Sequence, residues 1–341
     1  MDLLTALASG GIVLSLAFAF TNGYNDAGAD VATMVSSGAA SVKGALLTAS
    51  LANFIGALVG GSAVVLTLQG VLAVELVEEL GVAIFSAVAA ANVWNLVTWY
   101  YGIPSSSTHA LIGGLVGVGM AFHGAAGVHW GAEELLQGQL AGVVKVLAFL
   151  MASVFLGFGG SYLLMKGARL ALRRATIGVN RQMRRVQWIT TSVQTLAHGA
   201  NDAQKQMALV ALLLMAMGGT ADVPLWVRTA CAAAIALGTL GGGYRIMRTV
   251  GRKIFKIRPV HALVAQTNAS LTVVFATALG APVSSTQVVT AGVMGVGTAE
   301  NRRLVHWRVG KDLVVSWFLT IPATALLAGS TALGLKWITG V

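Results

Sequence analysis

Two aspartates stand where a bilayer would make them expensive. Asp26 lies in Asn22-Gly-Tyr-Asn-Asp-Ala27 and Asp202 in His198-Gly-Ala-Asn-Asp-Ala203, each inside a long apolar stretch. A carboxylate at membrane depth has to be paired, solvated or used. It can cap a broken helix by accepting from free backbone N–H groups, bind Na⁺, or take up a proton. The Asn and Gly ahead of each aspartate read as helix interruptions. Lys205, three residues beyond Asp202, either neutralises that carboxylate or meets an anionic substrate as a point charge. Of the six histidines only His109 and His198 fall within motifs. Packing is the plain reading of His198, and proton handling is the chemical one.

A second pair of segments suits anions. Gly102-Ile-Pro-Ser-Ser-Ser-Thr-His109 and Gly280-Ala-Pro-Val-Ser-Ser-Thr-Gln287 set a proline and several hydroxyls before apolar, glycine-rich runs. Proline fits the first turn of a helix, and a helix N-terminus offers unpaired N–H groups and a favourable dipole to an anion. Either segment alone reads as ordinary capping. Two of them, one from each half, could clamp a tetrahedral oxyanion from both sides through Ser106, Ser107 and Thr108 and through Ser284, Ser285 and Thr286.

The elements that hold these residues are set by composition. The 341 residues are 56% hydrophobic and 10% charged, with a mean hydropathy of +0.78. A soluble domain could not hide that much apolar surface, so lipid covers it. Apolar runs long enough to cross ~30 Å of hydrocarbon place spans near 3–21, 44–68, 81–101, 138–165, 188–217, 226–244, 260–279 and 312–338. The shorter segments 105–122 and 284–299 complete the set. With no basic stretch before it, Leu3–Phe20 reads as a retained span rather than a signal peptide.

A net charge of +10 invites a nucleic-acid reading, which its distribution rejects. Eighteen of the 22 Lys and Arg fall at Lys43 and in the segments 166–185, 245–258 and 302–311, whereas Glu75, Glu78, Glu79, Glu133, Glu134 and Asp222 occupy the other loops. That is the positive-inside pattern. It sets both termini outside. The single cysteine, Cys231, rules out an internal disulfide and a cysteine-based metal site, and no structural metal is expected.

The halves repeat as text. The Asn-Asp motifs are related by an offset of 176 residues (22 to 198) and the Pro-Ser-Thr motifs by 178 (102 to 280); Gly114, Gly117 and Gly119 match Gly292, Gly295 and Gly297 at the second offset. The expected architecture is all-α and polytopic, with a first repeat over 1–165, a basic cytoplasmic loop over 166–187 and a second repeat over 188–341. Five crossings in each half turn the second upside down, the sequence pointer to a transporter with its site near the midplane. On this layout Ser105–Thr108 lies toward the cytoplasmic end and Ser284–Thr286 toward the outside.

Together, His198-Gly-Ala-Asn-Asp-Ala-Gln-Lys205, Pro282-Val-Ser-Ser-Thr-Gln287 and Trp94-Asn-Leu-Val-Thr-Trp-Tyr-Tyr-Gly-Ile-Pro-Ser-Ser-Ser-Thr-His109 resemble the inorganic phosphate transporter (PiT) family, closest to the bacterial low-affinity permeases. The resemblance implies a multi-pass protein of the cytoplasmic (inner) membrane, commonly a homodimer, that moves phosphate with Na⁺ or H⁺. Asn25-Asp26, Asn201-Asp202 and the Ser-Thr motifs would form its site. This chain departs from the family pattern at Ala29, where a second Asn is usual, and is followed there by an unusual Asp30. Acidic positions of the sodium-coupled members appear as Asn53 and Gln266, as in the proton-coupled bacterial permeases. These departures favour H⁺ over Na⁺, with a metal–phosphate complex as an alternative cargo; Asp30 could restore an acidic ligand. No organic cofactor is implied.

A sulfate permease of the same fold is the nearest rival. Phosphate at neutral pH can donate a hydrogen bond to a carboxylate and sulfate cannot. An anion channel would have no need of paired intramembrane acids. An enzyme is not expected: no His-Glu-x-x-His motif occurs, and Ser107 and His109 are badly placed as nucleophile and base.

Overall fold

The computed structural model describes residues 3–72, 79–220 and 222–340. Thirteen α-helices occupy these residues: α1 (Leu3–Ser36), α2 (Val42–Val59), α3 (Ala63–Gln69), α4 (Leu80–Tyr101), α5 (Ser107–His123), α6 (Ala132–Leu136), α7 (Gly142–Ala171), α8 (Val179–Ala216), α9 (Leu225–Gly241), α10 (Tyr244–Arg248), α11 (Pro259–Ala278), α12 (Ser285–Asn301) and α13 (Trp307–Thr339). Glu75 and Glu78 lie outside the described residues; Glu79 lies within them. By length and apolarity α1, α2, α4, α5, α7 and α13 can each cross a bilayer, and α9 with α10 and its π-helical continuation, bent by 55°, makes a seventh candidate. Helices α8 and α11 carry many polar side chains, and α12 has only 17 residues. Large apolar side chains such as Ile55, Phe155, Leu163, Phe275, Phe318 and Leu326 remain exposed on the outer faces, the surface that lipid covers.

The expected interruptions at the Asn-Asp motifs do not occur. Helix α1 runs without a break through Asn22–Ala27 to Ser36, and α8 runs through His198–Ala203 to Ala216. The glycines serve close packing instead. A Cβ on Gly23 would lie 2.2 Å from the Ile235 carbonyl oxygen of α9, and one on Gly199 would lie 2.2 Å from the Asn53 carbonyl oxygen of α2. Small residues of this kind let membrane helices approach backbone to backbone.

True breaks fall elsewhere. The span expected over 44–68 divides at Gly60–Ser62 into α2 and α3, and the one over 226–244 divides at Gly242, where φ is +60°. The segment 166–187 is largely helical. Helix α7 carries Lys166 and Arg169 and α8 carries Arg181, Arg184 and Arg185, leaving Arg173 and Arg174 between them.

The packing is duplicated. Helix α1 packs on α9, α4 and α10 as α8 packs on α2, α11 and α3, and α5 meets α13 as α12 meets α7. Reciprocal details follow the same exchange. Gly56 abuts the Leu196 carbonyl and Gly238 the Phe20 carbonyl, while Thr249 donates to the Gly102 carbonyl and Thr67 to the Gly280 carbonyl.

Direction can be followed from contacts at the two ends of the bundle. At one end Glu79 meets His123 and Lys336, joining the start of α4 to the ends of α5 and α13, and Gly81 packs on Ala8 of α1. At the other, Ser37 donates to Gln187, Gln187 to the Pro259 carbonyl, and Arg169 to the Ala299 carbonyl. The start of α1 and the end of α13 therefore belong to the end that carries Glu79, and the basic segment around 169–187 belongs to the opposite end. Helices α5 and α12 start side by side and run to opposite ends. The second repeat is thus inverted relative to the first.

Candidate functional site

Helices α1 and α8 cross antiparallel, and their polar residues meet in one register. Gly11 lies against Leu213, Asn22 donates to Asp202 Oδ2 at 2.7 Å, and Gln194 donates to Asp30 Oδ1 at 3.1 Å. Because both helices are unbroken, Asn22, Asp26 and Asp30 stand four residues apart on one face. They confront Gln194, His198 and Asp202 on α8. All six are buried.

His198 occupies the centre. Its Nε2 lies 3.4 Å from Asp26 Oδ2 and 3.3 Å from Asp202 Oδ2, while Nδ1 lies 2.7 Å from Asp30 Oδ2. The 2.7 Å approach is a close polar contact in which the ring N–H does not point at the oxygen, since Nδ1 and that Asp30 oxygen have no hydrogen-bond partner. Asp26, His198 and Asp202 each present one ligand atom, all within 4.8 Å of one another, so the cluster can gather around a cation. The ordinary packing role expected of His198 is too small for this position.

The Ser-Thr motifs start helices as expected, although their prolines do not sit in the first turn. Ser106 caps α5 by accepting from the His109 N–H, and Ser284 caps α12 by accepting from the Gln287 N–H. Pro104 and Pro282 precede these caps by two residues, and the Pro104 carbonyl accepts from Trp317 Nε1 at 3.0 Å. Nor are the motifs held apart toward opposite faces. Thr108 donates to the Val283 carbonyl at 3.0 Å, and Gln287 Nε2 lies 3.4 Å from His109 Nδ1. The antiparallel helices start at the same level, so the two N-termini share one place.

Both starts reach the aspartates. Thr286 Oγ1 donates to Asp26 Oδ1. Lys205 Nζ bonds Asp202 Oδ1 at 2.8 Å, Thr108 Oγ1 at 2.6 Å and the Val283 carbonyl at 2.7 Å. The asparagines brace the backbone ahead of these helices, Asn25 at α4 and Asn201 at the loop before α12. Asn25 donates to the Asn95 carbonyl, while Asn201 donates to Thr277 and to the Ala281 carbonyl and accepts from the Val283 N–H. Ser107 and Ser285 are buried at the two helix starts, and Ser285 Oγ has no partner. Asn53 and Gln266 bond threonine hydroxyls rather than the carboxylates: Asn53 donates to Thr239, and Gln266 donates to Thr33 and accepts from Thr190. A cavity of about 200 Å³ reaches Asn25 beside Thr21 and Trp99, and another of about 550 Å³ reaches His109 and Gln287. Sequence reasoning passed over Asn22, although its four-residue spacing from Asp26 and Asp30 is visible once the helix is taken as continuous.

Comparison with known proteins gives the family. The model of the phosphate transporter family matches residues 22–177 and 168–328. A "Probable low-affinity inorganic phosphate transporter" of Bacillus subtilis (strain 168) is 35% identical over 331 residues, 96% of each chain. Another of Rhizobium meliloti (strain 1021) is 39% identical over 327 residues, 94% of each. A solved structure of a protein named "The sodium-dependent phosphate transporter" superposes with a TM-score of 0.86 at 26% identity, covering 98% of this chain and all of that one. With both repeats matched and the similarity running nearly end to end, this chain belongs to the phosphate transporter family.

Proposed function

We propose that this protein is a secondary transporter of inorganic phosphate in the cytoplasmic membrane, built from repeats 1–165 and 188–341 joined by 166–187, with both termini outside. The observation that carries the reading is the meeting of two inverted helix N-termini at Ser106–Thr108 and Ser284–Thr286, beside Asp26 and Asp202. Helix starts attract the anion. The carboxylates accept the hydrogen bond that phosphate donates and sulfate lacks. Asn25 braces α4 and Asn201 the loop before α12, and the ion that travels with phosphate engages Asp26, Asp202 and Asp30.

Proton coupling is favoured by His198 standing among three carboxylates, since one ammonium and one imidazolium leave at least one of three ionised carboxylates uncompensated. Asn53 and Gln266 add no charge. Sodium is the second reading, carried by the likeness to a sodium-dependent phosphate transporter. A metal–phosphate complex is an alternative cargo, its metal matched by Asp26, His198 and Asp202. The working unit is a homodimer.

Counterflow of labelled phosphate in proteoliposomes tests the transport reading, and an enzyme or a channel would give none. Uptake that collapses with a protonophore and persists with choline in place of Na⁺ supports H⁺ coupling. Uptake that follows an imposed Na⁺ gradient at fixed pH and zero potential overturns it.

A further inference from the structure

The repeats differ at one position that changes the chemistry of the site. At the offset that pairs Asp26 with Asp202, Ala29 pairs with Lys205. In the first repeat's half the Thr286 hydroxyl donates straight to Asp26. In the other half the corresponding Thr108 does not touch Asp202; the Lys205 ammonium stands between them.

The Lys205 environment is that of a bound cation. A carboxylate oxygen of Asp202, the hydroxyl of Thr108 and the backbone carbonyl of Val283 surround Nζ at 2.6–2.8 Å. Thr108 spends its own proton on the Val283 carbonyl, so its oxygen is left to accept. Three donated bonds need three N–H groups, which an ammonium has and a neutral amine lacks. The side chain is 1% exposed, and no N–H is left over for a substrate. Carboxylate, hydroxyl and backbone carbonyl are also the hard oxygen donors an alkali ion takes.

We infer that Lys205 is a tethered cation: its ammonium fills an oxygen-lined cation site at Asp202, Thr108 and Val283, so that the second half of the protein needs no dissolved ion there. Exchangeable positive charge then gathers on the Asp26, Asp30 and His198 side, which Asp202 joins only through Oδ2, its Oδ1 being held by Lys205. This rests on the proposed transport function only for the consequence that fewer ions cross with each phosphate.

The test removes the tether and offers a free ion. Lys205→Ala opens the site; Lys205→Met removes the charge but keeps the space filled. In detergent, thermal unfolding is followed in NaCl and in choline chloride. Na⁺ should raise the Tm of Lys205→Ala saturably, by several degrees more than that of the wild type or Lys205→Met. In proteoliposomes Lys205→Ala should lose roughly ten-fold or more of its phosphate uptake in choline, because Asp202 Oδ1 has lost its ammonium, and recover most of it in Na⁺. Recovery of folded Lys205→Ala only from Na⁺-containing buffer also supports the inference. Three results overturn it: Na⁺ leaves Lys205→Ala unchanged, stabilises Lys205→Met or the wild type as much, or fails to rescue a Lys205→Ala that is unfolded in both salts. A wild type that moves no phosphate would instead overturn the transport reading, leaving the thermal measurement to judge the cation site.

Discussion

The Asp26 and Asp202 halves of the α1–α8 crossing are built from one motif and reach different chemistry. Around Asp26 stand Thr286 and the imidazole of His198, a base whose ordinary titration lies near neutrality. Around Asp202 stand Asn22, His198 and Lys205, whose charge is tied to Thr108 and Val283. The backbone frame is the same on both sides, down to the glycine that abuts a carbonyl of the neighbouring helix. Duplication has thus kept the scaffold and let the charge diverge. One half is equipped to exchange a cation and the other to keep one.

The largest expected effect separates the two carboxylates by stability. Asp26→Asn and Asp202→Asn should each abolish concentrative phosphate uptake. Only Asp202→Asn leaves a buried ammonium without its carboxylate, a loss of about 3–5 kcal/mol that thermal unfolding should register as a large fall in Tm. Equal falls for the two variants would break the comparison. Normal uptake in either would reduce that aspartate to a packing role.

His198→Asn places in the second motif the residue that Asn22 supplies in the first. Uptake should cease to follow an imposed pH gradient, while phosphate counterflow, which needs no net proton movement, should continue. A pH-gradient response like that of the wild type would remove His198 from the coupling path.

Gly23→Ala and Gly199→Ala test the scaffold rather than the charge. Each new methyl meets a backbone carbonyl oxygen at 2.2 Å, and overpacking of this kind costs about 1–3 kcal/mol. The two losses should match within experimental error. A large inequality would show that the repeats are packed less alike than their contacts imply.

The smallest effect lies outside the membrane and sharpens the contrast with His198. His129, between α5 and α6, bonds Glu134 and the Gly70 carbonyl, and these partners raise its pKa. A raised folded-state pKa means that its stabilisation is full below the unfolded value and lost as pH rises through the folded one. The pair is partly exposed, so His129→Ala should cost at most about 1 kcal/mol. That cost should appear in mildly acidic buffer and vanish in alkaline buffer.

How far the site was legible in the sequence varies by residue. Asp26, Asp202 and the two Ser-Thr segments stand out because polar residues repeat in order within apolar runs, and the capping roles of Ser106 and Ser284 follow from local composition. The unbroken course of α1 and α8 was not legible. Gly23 and Gly199 look like helix breakers in the bare sequence, and only the helices they touch reveal them as points of close approach. His198 looked unremarkable for the same reason, since Asp26 and Asp30 come to it from another helix.

The sequence by itself determined that the chain is helical, membrane-embedded and duplicated, because apolar length, charge distribution and internal repetition are properties of order along the chain. Only the tertiary structure decided which half meets which. The antiparallel crossing of α1 and α8 sets His198 among three carboxylates, and the opposed starts of α5 and α12 bring Thr108 and Val283 around Lys205. Apart from His198 with Asp202, one turn apart on α8, these contacts join residues more than seventy positions apart, with partners set by helix direction and rotation. Those depend on the packing of small residues against neighbouring backbones, which no local pattern contains.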